Sequence, residues 1–221
     1  MKKLILALIL GLTISSAIAQ KVEISTSEPD AKIIVDGQSL GTGSLKLRIP
    51  KNSCVNVKIE KSGFLKLEQT YCNQKGATQA PEKQFFNMKK DDAEEASVKT
   101  DQANIDFSIE IDKKLDVGDV WKRTSQVVTD YFDAIEVADK ETSYLRTSWS
   151  VQSFEQNTIR TRLIIKLSKS DPLTYKVKLV SESSGKPLTS VKADEQFRDW
   201  DRILRKYKNV ISDFSTRLGN Q

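Results

Sequence analysis

Five cationic side chains lie at alternate positions of two neighbouring segments and could together bind an anion. Apolar residues alternate with Arg160, Arg162 and Lys166 in the first segment, and with Lys176 and Lys178 in the second. A period of two is typical of a half-buried strand, so we expect the five cations on the outer side of a hairpin. Such a patch could recognise carboxylate or phosphate groups. The pattern is equally that of a solvated sheet face whose lysines prevent strand pairing.

Two pairs of acidic residues offer a different chemistry. Asp130 with Asp133, and Asp139 with Glu141, could supply the two carboxyl groups of a glycoside hydrolase. Each pair falls on a helix face or in a turn, where acidic residues are common. Hydrolysis by acidic residues is therefore the alternative hypothesis to binding.

Other catalytic signals are weak. The chain has no histidine, which removes the commonest general base and transition-metal ligand. Ser183 and Lys186 have the spacing of a serine–lysine nucleophile but fall in a Ser/Gly/Pro turn. The segment from Gly41 to Gly43 lacks the third glycine and the helix of a phosphate-binding loop. We therefore expect a non-enzyme with no catalytic residue, no metal site and no cofactor.

Residues 1–19 have the pattern of a signal peptide. Lys2 and Lys3 precede an apolar run from Leu4 to Leu12, and small residues end the segment at Ala19. The run is short for a membrane-spanning helix, although a retained membrane anchor is the alternative. We expect an exported protein of a bacterial envelope, periplasmic or at the cell surface, with no integral membrane segment after cleavage.

The charge balance argues against one class of partner. Two of the 35 Lys and Arg residues lie in the leader, which leaves 33 against 30 Asp and Glu. This small excess is not clustered, whereas nucleic-acid binding needs a basic stripe or face. We therefore expect an envelope protein or an anionic cell-wall polymer as the partner, and no nucleic acid.

Residues 20–90 contain short strands separated by turns. Val22 and Ile24 alternate with polar residues, and a second strand ends at Asp36-Gly37, a strong hairpin signal. Apolar residues alternate again in 45–49 and 55–59. Strands at this spacing predict a small all-β sandwich.

The turns of this part resemble those of the PEGA domain family. Ser27-Glu28-Pro29-Asp30-Ala31 is followed by Val35-Asp36-Gly37, by Leu40-Gly41 and by Lys61-Ser62-Gly63-Phe64. The first motif lacks the glycine of the family's Pro-Glu-Gly-Ala and is one residue shorter. The resemblance implies a β-sandwich of surface and envelope proteins that acts as a binding or spacer module.

The two cysteines are spaced to face each other. If Gly63 is the apex of a hairpin, Cys54 lies opposite Cys72, and antiparallel neighbours can meet disulfide geometry. Disulfides persist in exported proteins. We therefore predict a Cys54–Cys72 bond, with two free buried thiols as the alternative.

Residues 91–103 are acidic and lack an apolar pattern, which predicts a solvated linker. Residues 104–221 then show strand and helix periods in turn. A strand from Ile105 to Ile111 is followed by a helix that Asp119 can cap, and by strands at 135–138, 144–151, 159–167 and 173–180. The order β-α-β-β-β-β-α predicts an α+β domain with an antiparallel sheet and helices on one face.

The last segment, 194–218, has the stripe of one long amphipathic helix. We expect it to cover the apolar face of the sheet, and a coiled-coil seam is the alternative. The stripe residues, spaced by three and four, are Phe197, Trp200, Leu204, Tyr207, Ile211, Phe214 and Leu218.

The second domain is similar to the BamC-type helix-grip domain. Asp119-Val120-Trp121 opens its first helix, and the segment from Asp139 to Trp149 contains Leu145-Arg146-Thr147-Ser148-Trp149, close to the family's Leu-x-Thr-x-Trp. The resemblance implies an accessory role in outer-membrane or surface assembly, but the family's lipid-bearing cysteine is missing here. We therefore predict a two-domain binding or scaffolding protein, and a hydrolase of envelope polymers is the alternative.

Overall fold

The structure is a computed structural model that describes residues 19–219. It is β-rich and contains several separate sheets. The chain divides into two compact units, of which the first ends at Lys89 and the second begins at Lys90. The predicted signal peptide lies outside the described residues, apart from Ala19.

Between residues 19 and 89 the first unit has seven strands: β1 Gln20–Thr26, β2 Lys32–Val35, β3 Gln38–Thr42, β4 Ser44–Ile49, β5 Ser53–Glu60, β6 Leu67–Asn73 and β7 Lys83–Phe86. They form a three-stranded sheet in the order β4-β1-β7 and a four-stranded sheet in the order β3-β2-β5-β6. β1 and β7 run parallel, and the other pairs are antiparallel.

One apolar core fills the space between these two sheets. Val22 and Leu47 face inward from the smaller sheet, and Ile33, Val57 and Ile59 face inward from the larger one. Their strand neighbours point outward, because successive side chains of a strand alternate between its faces. Burying each large aliphatic side chain stabilises the fold by about 1.5–3 kcal/mol.

Two glycines are required by the turns of this unit. Gly37, with φ of 84°, follows Asp36, with φ of 47°, in the β2–β3 hairpin, and the Asp36 carboxylate accepts a hydrogen bond from the Asn56 backbone at 2.9 Å. Gly43 lies against Pro29, where an added Cβ would be 2.4 Å from the proline carbonyl oxygen. Any side chain at position 43 would therefore displace the β3–β4 turn.

The predicted disulfide is confirmed. β5 and β6 pair with Cys54 opposite Cys72, and the two cysteines, 18 residues apart, are bonded. Gly63 has φ of 82° in the connection between the strands. The bond therefore joins the two ends of the hairpin that its sequence symmetry predicted.

As far as residue 219, the second unit contains nine strands, three α-helices and two short 3-10 helices. The 3-10 helices are Asp194–Gln196 and Arg205–Tyr207. The remaining elements are α1 Asp92–Glu95, β8 Ser97–Lys99, β9 Asp106–Glu110, α2 Val117–Tyr131, β10 Ile135–Asp139, β11 Tyr144–Thr147, β12 Ser150–Ser153, β13 Thr158–Ser170, β14 Leu173–Ser183, β15 Arg198–Asp199, β16 Arg202–Leu204 and α3 Val210–Leu218.

A seven-stranded sheet organises this unit. Its order is β10-β11-β13-β14-β15, with β12 also paired to β13 and β9 also paired to β14. Leu163 and Val177 on its inner face share a core with Val127 of α2 and Phe214 of α3. The predicted strand 144–151 is two strands, β11 and β12. The helices therefore pack on one face of this sheet, and its outer face carries cations together with Ile164 and Val180.

The first long helix begins three residues earlier than predicted. Asp116, and not Asp119, is its N-cap, with its carboxylate accepting hydrogen bonds from the backbone of Gly118 at 2.7 Å and Asp119 at 2.9 Å. These bonds lower the pKa of Asp116. The cap satisfies backbone donors that have no partner within the helix.

The prediction of a solvated linker at residues 91–103 is wrong. The segment forms α1 and β8, and Ala93 and Ser97 are buried. β8 pairs with β16, which lies about one hundred residues later in the chain. The acidic side chains lie on the outer side of the segment, and the small residues pack inward. So few small residues do not form an apolar alternation, so the sequence did not indicate a strand here.

The prediction of a single helix over 194–218 is also wrong, although its stripe is the buried side of the segment. Of the stripe residues only Trp200 is partly exposed. The chain forms β15 and β16 before α3 begins at Val210. The Trp200 backbone N–H donates to Ser181, and Ile203 lies opposite Val98. Pairing with distant strands therefore replaces helical hydrogen bonds in its first half.

Candidate functional site

The five predicted cations lie on the outer face of the large sheet. Directly opposite residues of antiparallel strands share a face, and Lys166 is opposite Lys176. The intervening residues Leu163 and Ile165 are buried in the core with the helices. The outer cations are Arg160, Arg162, Lys166, Lys176 and Lys178.

Arg160 is not available to a ligand, which corrects the predicted patch. Its side chain is 3% exposed and its Nε donates to the Glu182 carboxylate at 2.6 Å. Its Nη1 donates to the Val191 carbonyl at 2.7 Å and to the Asp194 carboxylate at 2.5 Å. A buried guanidinium with these partners is a structural ion pair.

An acidic side chain also lies among the cations. The carboxylate of Asp106 on β9 lies 3.2 Å from the Lys166 ammonium and 3.9 Å from that of Lys176. Asp106 is also opposite Lys178 in the pairing of β9 with β14. The lysine half of the face is therefore partly neutralised by a neighbouring strand whose position the sequence did not reveal.

Trp149 is the centre of the arginine half. Its ring lies 4.3 Å from the Arg160 guanidinium carbon and 4.0 Å from that of Arg162. Arg160 also lies 4.1 Å from the Phe197 ring. These cation–π contacts fix the planes of both guanidinium groups.

A break between β11 and β12 places Trp149 over the sheet. The hydroxyl of Thr147 accepts the backbone N–H of Leu163 at 3.0 Å, a bond that a strand carbonyl would otherwise make. The next N–H, from Ser148, donates to Ala134 at 3.0 Å. Trp149 therefore lies outside both strands, and its ring can reach the outer side chains of β13.

Arg162 has an unused hydrogen-bond donor. Its Nε is buried and has no acceptor within the part of the chain that the structure describes. Burial first, and then the charge of Arg146, lower the pKa of the Arg162 guanidinium. A buried donor without an acceptor is costly. The Arg162 side chain as a whole is only half-buried, so part of it stays open to an incoming anion.

Arg146 completes the site. It lies opposite Ile164, on the same outer face, and its Nε is 3.1 Å from the Glu136 carboxylate. We call Arg146, Trp149 and Arg162 the Arg162 surface. Sequence reasoning missed Arg146 and Trp149. Alternation along the strand could have placed Arg146 on the outer face, whereas no pattern in the sequence indicated the strand break at Trp149.

One acid of each predicted carboxyl pair has a structural partner. Asp130 lies 2.6 Å from the Arg217 guanidinium. The Asp139 carboxylate accepts from the Thr142 hydroxyl at 2.7 Å and from the Glu141 backbone at 2.9 Å, and these bonds lower its pKa. Both acids therefore act within the fold, one between two helices and one in a turn.

The serine and lysine of the Ser/Gly/Pro turn also bond locally. The Ser183 hydroxyl accepts from the Asn157 amide at 3.4 Å. The Lys186 carbonyl accepts from the hydroxyls of Thr158 at 2.9 Å and Thr189 at 3.1 Å. These contacts tie the turn to the start of β13.

Metal-binding and membrane-spanning features were sought among residues 19–219. They contain no cluster of three or more Cys, Asp or Glu side chains arranged to hold a metal ion. No helix in this range has both the length and the apolar character needed to cross a membrane.

The first unit carries an open cavity of about 940 Å³. Lys21, Arg48 and Lys83 line it together with Glu23 and Glu82. Glu23 lies opposite Lys83 in the sheet, so charges of both signs alternate around the opening. This mixture contrasts with the Arg162 surface, where a guanidinium donor lacks an acceptor.

Comparison of the chain with protein-family models finds no match, and comparison with curated proteins finds none either. The resemblances to the PEGA and BamC-type families therefore stay predictions.

Proposed function

We propose that this protein is a non-enzymatic binding module of a bacterial envelope, and that the Arg162 surface recognises an anionic group on its partner. The observation that carries the proposal is the half-buried Arg162 side chain, whose Nε has no acceptor among the described residues. Carboxylate and phosphate oxygens are the acceptors that an arginine fork matches best. Because Trp149 holds the guanidinium plane, an anion would meet a donor that is already oriented.

The envelope location rests on the leader pattern and on the disulfide. A Cys54–Cys72 bond suits an oxidising compartment. The finer fold assignments belong to the same proposal: a PEGA-like sandwich for the first unit and a helix-grip-like domain for the second. Two sheets around one core, and an antiparallel sheet with helices on one face, support them.

Equilibrium binding to two defined anionic polymers tests the proposal. The protein from residue 20 onward is titrated with a glutamate homopolymer and with poly(glycerol phosphate) at low and physiological salt. We expect Arg162→Gln to weaken binding of at least one polymer by roughly 10-fold or more, since a charge-assisted hydrogen bond contributes about 1.5–3 kcal/mol. Arg162→Lys keeps the charge without the planar fork, so its affinity should lie between those of wild type and Arg162→Gln.

Lys178→Gln is the matched control. It removes one positive charge from the same face but lies outside the Arg162 surface, so we expect a small, salt-screened loss. Equal affinity of wild type, Arg162→Gln and Lys178→Gln for both polymers would reject the proposal.

A further inference from the structure

β12 is an open edge of the large sheet beside the Arg162 surface. It pairs only with β13, with Val151 opposite Arg160 and Ser153 opposite Thr158. Within residues 19–219 no strand lies on its other side. An open edge can pair with a strand of another chain.

The hydrogen-bonding pattern of the β12–β13 ladder leaves the backbone groups of two β12 residues pointing away from β13. The hairpin that follows β12 is closed by the Phe154 N–H donating to Asn157 at 2.7 Å. Because paired and unpaired positions alternate along an antiparallel ladder, Ser153 and Val151 direct their N–H and C=O groups away from β13. No described residue bonds these four groups, so the edge offers two donors and two acceptors.

This edge is short, at four residues, and the Lys206 ammonium lies 3.4 Å from the Ser150 hydroxyl at its start, but β12 itself carries no protective residue. Natural edge strands carry lysine, proline or bulges against unwanted pairing, whereas β12 reads Ser-Val-Gln-Ser. Val151 is 43% exposed. On the far side of β13, β14 is covered by β9 and β15.

An exposed apolar residue stands at the far end of β12. Leu188 is 86% exposed and its φ of 52° is one that non-glycine residues rarely adopt. Its backbone N–H donates to the Ser153 hydroxyl at 2.8 Å, and the next N–H, from Thr189, donates to Thr158 at 3.1 Å. The fold therefore fixes a leucine side chain in water beside the edge.

We infer that β12 receives an extended segment of a partner protein, with an acidic side chain near Trp149 and an apolar side chain near Leu188. Trp149 and Ser153 are four residues apart, about 13 Å along a strand. The partner's acidic and apolar residues should therefore also be four apart, on the same face. The inference rests on the proposed function and names the class of its partner.

A polypeptide fits these features better than a cell-wall polymer does. A phosphate or carboxylate of a polymer could satisfy Arg162, but it would leave the backbone groups of Val151 and Ser153 in water. An added β-strand satisfies both, with main-chain hydrogen bonds for affinity and side chains for specificity.

The probe is a fluorescent peptide, acetyl-Thr-Glu-Thr-Val-Thr-Val-Thr-amide, titrated by anisotropy against the protein from residue 20 onward. We expect saturable binding that weakens at least 10-fold in Val151→Pro, which deletes an outward N–H without removing a bond to β13. Arg162→Gln, and replacement of the peptide's glutamate by glutamine, should each cause a similar loss.

N-methylated peptides make the test independent of variant folding. Alternate amides of an added strand face β12, so methyl groups on one alternating set of amides should abolish binding and methyl groups on the other set should not. Absence of binding at 1 mM peptide, equal effects of the two sets, or full binding by a folded Val151→Pro would overturn the inference.

The outcomes separate the inference from the proposed function. If poly(glycerol phosphate) loses affinity with Arg162→Gln but not with Val151→Pro, and the peptide does not bind, the Arg162 surface binds a polymer and the strand-addition inference is wrong. If Val151→Pro weakens peptide binding while Arg162→Gln weakens binding of neither the peptide nor either polymer, the edge binds a strand and the anion-recognition proposal is wrong.

Discussion

Arg160 and Arg162 are two residues apart on one strand and contact the same tryptophan ring, yet their environments differ. Arg160 has two carboxylates and a carbonyl as partners, whereas the Nε of Arg162 has none among the described residues. The partners of Arg160 come from β14 and from the loop that precedes β15. Alternation along a strand predicts which face a residue occupies, but not which distant segment covers it.

This difference predicts unequal effects on stability. Arg160→Ala leaves Glu182 half-buried without its cation; breaking a buried pair costs about 3–5 kcal/mol, and we expect about 2–3 because Glu182 keeps some contact with solvent. Arg162→Ala should cost about 1 kcal/mol or less, since it also removes an unsatisfied donor. Urea unfolding followed by tryptophan fluorescence measures both, and equal losses would contradict this assignment.

At the scale of elements, α2 and α3 are joined at their exposed edges as well as in the core. The Tyr131 hydroxyl donates to the Asp213 carboxylate at 2.5 Å. Just outside the two helices, the rings of Phe132, which follows α2, and Tyr207, which precedes α3, stack at 4.7 Å. Burial, then the bond to Asp213, raise the pKa of Tyr131 to about 12. The helix pair therefore depends on Tyr131 being protonated.

The direction of the pH effect follows from this raised pKa. The folded state holds the Tyr131 proton more tightly than the unfolded state, so its contribution is complete below about pH 10 and is lost as pH rises to about 12. We expect the unfolding free energy to fall there by on the order of 1–2 kcal/mol more in wild type than in Tyr131→Phe. Parallel pH curves of the two proteins in chemical denaturation would show that Tyr131 contributes nothing.

Elements that form between near neighbours were predictable, and elements that need distant partners were not. The β5–β6 hairpin is local and symmetric about Gly63, so the position of Cys54 opposite Cys72 followed from counting residues. β16 exists because β8, from the other end of the unit, pairs with it. A stripe with spacings of three and four marks buried side chains, but it does not decide between a helix and such a pairing.

At the scale of the whole molecule, the two units differ in their covalent cross-link and in their fluorescent residues. The disulfide lies in the first unit, and the three tryptophans, Trp121, Trp149 and Trp200, lie in the second. Each unit has its own apolar core. Tryptophan fluorescence therefore reports on the second unit, while circular dichroism reports on both.

Reduction should therefore affect one unit only. Opening a loop of 18 residues removes about 3 kcal/mol of stability in the chain-entropy model. We expect a reducing agent to shift an unfolding transition seen by circular dichroism and to leave the fluorescence midpoint unchanged. A variant with Cys54→Ser and Cys72→Ser should not respond to the reducing agent, and a shift of the fluorescence midpoint in wild type would mean that the units unfold together.

The candidate site shows the same division between local and distant information. The outward face of Arg162 followed from the period of its strand, whereas the neutralising Asp106 came from a strand whose neighbour no local pattern specifies. The ring of Trp149 depends on a strand break that a side-chain hydroxyl makes. The position of the cations on the sheet was thus predictable. Which of them pair with carboxylates of the protein was not.

The Arg162 surface is built from guanidinium groups and an indole, in a chain without histidine. The guanidinium of a free arginine stays charged, and an indole stays neutral, in mildly acidic or neutral water. The surface would therefore keep the same charge when its surroundings turn acidic. We therefore expect a change in binding between pH 5 and 7 to come from protonation of the bound partner. Binding measured over this range would then follow the charge of the ligand.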